Sequence, residues 1–147
     1  MKQDRKEKGN VPNLRFPEFQ EEWDFFSLSE LGDFIGGGTP SSTNQNFWQG
    51  SIPWISSSDL KEDNVTKVNI TRYITKEAID NSATKLCQAP VILLVSRVGV
   101  GKVAYSEEDI CTSQDFTNII NIKSNEMFLA YLLTKIMKIK AKETLKV

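Results

Sequence analysis

One stretch of the chain concentrates side chains that could recognise another molecule through neutral hydrogen bonds. It reads IGGGTPSSTNQNFWQGSIPWISSSD and spans residues 35–59. Its hydroxyls and amides supply donors and acceptors, and the amides match the edge that adenine shows in the major groove of DNA. Its three consecutive glycines, 36–38, would let the backbone approach another surface closely. The stretch equally suits a surface loop whose tryptophans, Trp48 and Trp54, pack inward as core. The residues alone leave both interpretations open.

Two cations flank a glycine turn farther along, in VILLVSRVGVGKVA. The spacing of its glycines imitates a dinucleotide-binding turn, but such a turn must open a helix, and the following residues have strand character. Val103 stands where a P-loop carries a hydroxyl. We therefore predict a tight hairpin with Gly99 and Gly101 at positive φ. Arg97 and Lys102 at its mouth would either contact phosphates or simply be solvated.

Composition narrows the classes of function. The 147 residues suit one domain and include no histidine, which excludes Ser-His-Asp and Cys-His nucleophile systems and histidine metal sites. Cys87 and Cys111 lack CxxC spacing, so we expect reduced thiols in the core of a cytoplasmic protein. The start of the chain has no apolar region of a secretory signal, and the longest apolar run, 90–95, is too short to span a bilayer.

The elements that must hold these residues alternate between strands and short helices. A capping box, Ser27 with Glu30, predicts a helix at about 28–31, and Thr75 is a plausible cap for another. The runs SIPWI, DNVTKVNITRYI, APVILLVS, VAYS and FTNIINI have strand character. We expect a mixed α/β (α+β) fold around a twisted, mainly antiparallel sheet with short peripheral helices. The aromatics of VPNLRFPEFQEEW predict an extended segment pinned to the body.

The last 25 residues differ in charge and in pattern. Residues 123–147 carry six basic and two acidic groups, whereas residues 1–122 carry 12 basic and 17 acidic groups. Ser124 could cap an amphipathic helix there. The charge asymmetry indicates an element that faces nucleic acid or a partner, or simply a solvated face. Four apolar residues at spacings of three, four and three form a seam: Leu129, Leu132, Ile136 and Ile139.

An ordered set of sequence words extends from about Val11 to the final helix. They are VPNLRFPEFQEEW, LSELGDFIGGGTPS, FWQGSIPWISSSDL, YITKEAI, LLVSRVGVGKVAY, CTSQDFTNII and FLAYLLTKI. Together they resemble the first target recognition domain of the specificity subunit of type I restriction-modification enzymes. Two positions depart from that pattern: Val91 follows Pro90 where relatives often have glycine, and Ser113 stands where they often have asparagine.

The resemblance implies recognition of one half of a split site in double-stranded DNA, without catalysis. It implies a flexible arm at 1–13, a recognition domain at 14–123 and the start of a helical spacer at 124–147. It also implies assembly with modification (methyltransferase) subunits and, indirectly, with restriction subunits, in the cytoplasm and without a membrane. S-adenosylmethionine, ATP and magnesium would belong to those partners, so no cofactor is expected in this chain. A second half-subunit or a second copy is a further possible partner.

Under this reading, two sets of residues would contact DNA. Base or groove contacts are predicted for Thr39, Ser41, Ser42, Thr43, Asn44, Gln45, Ser57 and Ser58. Phosphate contacts are predicted for Lys61, Arg97 and Lys102, with Ser113 and Gln114 nearby. The leading alternative is a protein-interaction module that acts through the helix seam. A third hypothesis, a small nuclease, predicts magnesium-dependent cleavage, although no acidic pair with a following E-x-K motif supports it.

Overall fold

Seven short strands form two sheets. A computed structural model describes residues 14–144, with side chains to 140, so the predicted arm at 1–13 and the last residues of the predicted spacer lie outside the described residues. The strands are β1 (Asp33–Gly36), β2 (Ile52–Ile55), β3 (Arg72–Ile74), β4 (Val91–Leu94), β5 (Val103–Ser106), β6 (Cys111–Thr112) and β7 (Thr117–Ile120). One sheet has the order β1-β7-β4-β5 and the other β3-β2-β6.

Antiparallel pairing dominates, and the mixed α/β class is confirmed. Every pair in the four-stranded sheet is antiparallel, as is β2 with β3. The exception is β2 with β6, which pair in parallel with Trp54 opposite Cys111. The strands thus divide between two sheets where the sequence predicted one. A parallel pair needs a long crossover between its strands, and local alternation carries no sign of which distant strands will meet.

The helices are short except for the last. Single 3₁₀ turns occupy Leu28–Glu30, Gln45–Trp48 and Ser57–Asp59. Helix α1 (Lys76–Asp80) begins after Thr75, whose hydroxyl accepts from the Ala78 amide at 3.1 Å, as predicted. Helix α2 (Glu126–Thr144) begins after Asn125, whose side-chain oxygen accepts from the Phe128 amide at 2.8 Å. The predicted cap at Ser124 is therefore wrong by one residue.

Strand β4 lies at the centre of the core. All four of its residues are buried, as its uninterrupted apolar run predicts. One cluster packs Val91 and Leu93 with Ile55 and Phe116, and so joins the two sheets. The opposite face of β4 packs under α2. Within the described residues, no helix is both long and apolar enough to cross a membrane.

Helix α2 packs on its own domain through only part of the predicted seam. Leu129, Ala130 and Leu133 are buried in the cluster formed with β4 and β5. Ile136 is half-buried, whereas Leu132 and Ile139 are exposed. The single seam of the sequence analysis is therefore wrong: the helix has one face on the domain and a second apolar face turned to solvent.

The aromatic segment that precedes β1 is not pinned to the body. Phe16, Phe19, Trp23, Phe25 and Phe26 are all exposed. The expectation that these side chains would anchor an extended segment is therefore wrong. The long predicted strand before α1 also shrinks to Arg72–Ile74. The chain turns at residues 62–63 and again at 65–66, and Val68 makes only an isolated bridge with Leu60.

Candidate functional site

Three of the predicted contact segments meet at one edge because of the parallel strand pair. Parallel neighbours end at the same side of a sheet, so the loops after β2 and β6 leave together. The Ser113 amide donates to the carbonyl of Ile55 at 2.9 Å. The glycine-rich loop after β1 joins them, because the Gly38 amide donates to the carbonyl of Thr112 at 2.9 Å.

The glycine hairpin completes this edge. The Ser96 and Arg97 amides donate to the Asp115 carbonyl at 2.8 and 3.2 Å, and Lys102 Nζ donates to the Ser57 carbonyl at 3.1 Å. Gly99 and Gly101 have φ of +85° and +101°, which confirms the predicted hairpin. We call the four segments 38–46, 56–61, 96–102 and 113–115 the loop edge.

The run of glycines serves contact within the domain. A Cβ on Gly37 would lie 2.3 Å from the Ser113 carbonyl oxygen and 2.4 Å from that of Thr112. Such distances are far shorter than van der Waals contact, so no larger residue fits without moving one of the two loops. Gly36, by contrast, has open space where a Cβ would be. Gly37 thus lets the backbone approach β6 and the loop after it, while a Cβ on Gly38 would lie 2.5 Å from the backbone at Ala83 and Thr84.

Within the loop edge, Gln114 is held in one orientation by Thr39. The Thr39 hydroxyl donates to Gln114 Oε1 at 2.6 Å, across 75 residues of sequence. Both side chains are exposed. Because Oε1 accepts from Thr39, the amide plane is fixed and the Nε2 group can donate to another molecule. The sequence predicted both residues as DNA contacts, and the structure brings them together.

The polar loop 41–46 is organised by its own side chains. The Ser41 and Thr43 hydroxyls lie 2.9 Å apart, and Asn44 Oδ1 accepts from the Asn46 amide at 3.2 Å. The Trp48 indole donates to the Ser41 carbonyl at 3.0 Å. Asn44 is half-buried, while its polar neighbours stay exposed: Ser41, Ser42, Thr43 and Gln45. The loop thus presents hydroxyls and an amide on a backbone that these hydrogen bonds hold in one conformation.

Arg72 and Asp59 organise the second loop of the edge, and neither was among the residues predicted from the sequence. Arg72 donates to Asp59 Oδ2 at 2.6 Å and to Ser56 Oγ at 2.8 Å. Its guanidinium lies 4.5 Å from the ring centroid of Trp54. The Asp59 carboxylate also accepts from the Ser56 amide at 2.8 Å. Arg72 faces Trp54 directly in the β2–β3 register, and only that pairing, which sequence does not show, would have identified it.

We call the contacts of Arg72 with Asp59 and Ser56 the clamp. The tryptophans connect it to the glycine-rich loop. Trp54 is buried, and its indole donates to the Gly38 carbonyl at 3.0 Å. Trp48 is half-buried and packs edge-to-face on Trp54 with ring centroids 5.0 Å apart. The prediction that they pack inward is confirmed for Trp54. The two rings hold the loops 38–46 and 56–59 in a fixed relation.

The residues predicted to contact DNA differ in their solvent exposure. Ser113 is only 3% exposed, and its hydroxyl donates to Asp115 Oδ2 at 3.4 Å, so it shapes the loop and cannot touch a surface docked on it. Ser57 is half-buried, and Ser58 is exposed with its hydroxyl 2.9 Å from that of Ser56. Lys61 and Arg97 are exposed cations, whereas Lys102 is half-buried against the Ser57 carbonyl.

The two thiols lie behind the edge, in the core. Burial raises the pKa of Cys87 to about 11 and that of Cys111 to about 12. Both are free and fully buried, as predicted. The Asn118 amide nitrogen donates to Thr112 Oγ1 at 2.8 Å beside them. In the described part of the chain, no cluster of three thiols or carboxylates is arranged to hold a metal ion.

Comparison with known proteins identifies a single family. A family model described as the type I restriction modification DNA specificity domain matches residues 20–147. The chain is 35% identical over 103 residues to the type I restriction enzyme MjaIX specificity subunit of Methanocaldococcus jannaschii, covering 68% of this chain and 23% of that one. It is 44% identical over 89 residues to the EcoR124I/EcoR124II specificity subunit of Escherichia coli, covering 59% and 21%. The chain thus spans less than a quarter of these curated relatives.

Solved structures share the fold. A chain from a type I R-M system superposes with a TM-score of 0.61 at 21% identity, covering 92% of this chain and 32% of that one. The HsdS subunit from Thermoanaerobacter tengcongensis superposes with a TM-score of 0.53 at 22% identity, covering 86% and 30%. At these identities the likeness concerns the fold alone.

Proposed function

Because the chain belongs to the type I restriction modification DNA specificity domain family, we propose that its loop edge binds duplex DNA and recognises one half of a bipartite site. The observation that carries this proposal is the convergence of four loops, distant in sequence, into one surface of uncharged donors and acceptors with cations beside them. Neutral amides and hydroxyls discriminate base edges, whereas cations position the phosphates.

The exposed side chains divide between these two tasks. Lys61 and Arg97 would contact phosphates, and Lys102 would hold the Ser57 loop as well as add positive potential. Ser113 would support the surface from beneath. Bases would be read by the exposed polar groups of the edge: Thr39, Ser41, Ser42, Thr43, Gln45, Ser58 and Gln114. Such a small set of phosphate contacts predicts weak binding by this chain alone, with a Kd of about 10⁻⁴ to 10⁻⁶ M.

The proposed role is recognition without catalysis. Methylation and cleavage would belong to modification and restriction subunits that the domain directs to its site, and S-adenosylmethionine, ATP and magnesium would be theirs. The support is twofold: the curated relatives are named specificity subunits, and the loop edge presents hydroxyls and amides. A magnesium-dependent nick made by the purified chain would contradict this role.

The phosphate contacts are tested by salt dependence. Fluorescence anisotropy with a labelled duplex, across a series of salt concentrations, gives the slope of log K against log salt. Arg97→Gln and Lys61→Gln should each flatten that slope by about 0.9. Lys123→Gln is the matched control, because Lys123 follows β7 at the end of the sheet opposite to the loop edge. Equal slopes for all three variants would refute the phosphate assignment.

Base reading needs a separate measurement in the assembled enzyme. A full-length specificity subunit that carries this domain is expressed with its modification subunit, and the methylated motif is determined by methylome sequencing. Replacing residues 39–46 with the equivalent loop of a relative should change one half of the motif and leave the other half intact. An unchanged motif, with methylation still active, would exclude this loop as a base reader.

A further inference from the structure

The tip of the glycine hairpin carries two exposed apolar side chains. Val98 is 71% exposed and Val100 is 44% exposed. Among the residues of the loop edge, all of which the structure describes, no other large apolar side chain is exposed. Single exposed apolar residues are ordinary on a protein surface, so exposure alone assigns no role to these two. Their place within the loop edge and their occurrence in a tight turn call for a physical reason.

Valine is an unusual residue for the tip of a turn. Turns favour glycine, asparagine, aspartate and serine, whereas β-branched side chains favour strands. The left-handed conformations of this turn are taken by Gly99 and Gly101, with φ of +85° and +101°, so the valines contribute nothing to its geometry. A residue type that opposes its local conformation is expected at functional sites. The side chain of Val98 is therefore a candidate for contact with another molecule.

Hydrogen bonds hold the hairpin in one conformation. The Val95 amide donates to the Lys102 carbonyl at 3.0 Å, and the Gly101 amide donates to the Val95 carbonyl at 3.2 Å. A Cβ on Gly101 would lie 3.9 Å from Met137 Cβ, so the second half of the turn lies beside α2. Val98 belongs to the first half and is the more exposed of the two valines. Because its backbone is already ordered, contact through Val98 costs little further conformational entropy.

The surroundings of Val98 favour a polyanion over a protein as its partner. Arg97 and Lys102 flank the turn, and the other segments of the loop edge present hydroxyls and amides. A stable protein interface buries about 800 Å² on each partner around an apolar centre, far more than two valines supply. Duplex DNA offers one small apolar group on its base edges, the C5-methyl of thymine in the major groove.

We propose that Val98 recognises a thymine by packing against its C5-methyl group in the major groove. This inference rests on the proposed binding of DNA by the loop edge, and it adds an apolar contact to the hydrogen-bonding ones. The major groove is about 12 Å wide and admits a two-stranded ribbon, such as the antiparallel pair β4 and β5 that the hairpin joins. The minor groove is about 6 Å wide, and the apolar side chains that enter it act as wedges that kink the duplex.

Removal of single methyl groups from the DNA tests the contact directly. The full-length specificity subunit is assembled with its modification subunit, and exchange of this domain identifies the half of the methylated motif that it reads. Each thymine of that half, on either strand, is then replaced singly by deoxyuridine, and the Kd is measured by fluorescence anisotropy. One replacement should raise the Kd about fourfold, the contribution of one buried apolar carbon. A half-site without any A·T pair, or one in which no replacement changes the Kd, overturns the proposal.

Matched variants assign the methyl contact to one side chain. Val98→Ala should bind the thymine and deoxyuridine duplexes with equal Kd, so that the fourfold difference disappears. Val98→Thr, which is close in volume but replaces one methyl with a hydroxyl, should reduce the difference without removing it. Val100→Ala is the control from the same turn and should keep the full difference. A difference that persists in Val98→Ala, or that disappears in Val100→Ala instead, overturns the proposal.

Failure of this contact is distinct from failure of DNA recognition. If exchange of the domain changes one half of the motif while deoxyuridine is tolerated at every position, DNA recognition stands and the role of Val98 is refuted. If the exchange leaves the motif unchanged, the proposed function itself fails. A Val98→Ala variant that no longer assembles with the modification subunit, yet still distinguishes thymine from deoxyuridine in the chain alone, would place Val98 in a protein interface and overturn the proposal.

Discussion

Arg72 is predicted to hold the Ser56–Asp59 loop in place, and its removal should loosen the loop edge without removing a DNA contact. The guanidinium lies over Trp54 at 4.5 Å and donates to Asp59 at 2.6 Å and to Ser56 at 2.8 Å. Asp59 in turn accepts from the Ser56 amide. The Arg72→Ala variant therefore removes an ion pair, a hydroxyl contact and a cation–π contact at once.

The expected loss of stability follows from these contacts. A hydrogen bond to a charged group contributes about 1.5–3 kcal/mol, and an exposed cation–π pair adds about 0.5–1 kcal/mol. The Arg72 side chain is 39% exposed, so solvent screening discounts the ion pair toward the low end. We expect Arg72→Ala to lower the free energy of unfolding by about 2 kcal/mol, and Arg72→Lys, which keeps the charge but not the stacked planar group, by about 1 kcal/mol.

A double-mutant cycle tests the clamp. The free energy of unfolding in urea is measured for the wild-type chain, Arg72→Ala, Asp59→Asn and the double variant. A coupling of about 1 kcal/mol between the two positions is expected for groups in direct contact. The slope of DNA affinity against salt should stay unchanged, because Asp59 already neutralises Arg72. A coupling near zero would refute the clamp. A slope that flattens by about 0.9 would show instead that Arg72 contacts a phosphate.

Two further predictions concern the interior behind the loop edge. Gly37→Ala should lower the free energy of unfolding by about 1–3 kcal/mol, since its Cβ would lie 2.3–2.4 Å from two backbone oxygens. Gly36→Ala is the control: a Cβ there has open space, so its loss of stability in thermal denaturation should be smaller. Native Cys87 and Cys111 should resist a thiol reagent at pH 8 until urea is added. Their folded pKa values, about 11 and about 12, lie above the ordinary value of 9.0, so the thiols stay protonated to a higher pH in the folded state than in the unfolded state. The free energy of unfolding should therefore fall as pH rises from about 9 to about 12. The double variant Cys87→Ala with Cys111→Ala should flatten that fall, and an unchanged pH dependence would contradict the prediction.

Local elements were predictable where neighbouring residues alone decide the conformation. Thr75 caps α1, Gly99 and Gly101 turn the hairpin, and the apolar run of β4 is buried. Each of these signals acts over a few residues, through a hydroxyl, a missing Cβ or an unbroken apolar run. The cap of α2 was misplaced because Ser124 and Asn125 are adjacent and both are good caps, so only the geometry distinguished them.

The candidate site was predictable in part. The sequence named Thr39 and Gln114, 75 residues apart, but could not show that they bond to each other. It included Ser113, whose burial under the loop depends on a backbone bond to Ile55. It missed Arg72, which looks like an ordinary strand cation until β3 pairs with β2. Side-chain type indicates possible chemistry, but access to a partner depends on packing by distant segments.

Sequence by itself determined most kinds of element, the glycine hairpin, the cap of α1, the absence of histidine chemistry and the family resemblance, because these depend on residue type and short spacing. Tertiary structure alone decided that the loops after β2 and β6 emerge together, that Arg72 clamps Asp59, and that α2 divides its apolar residues between the domain and solvent. These features depend on which strands pair and in which register. That choice is made by burial of the whole core, to which residues far apart in the chain contribute together.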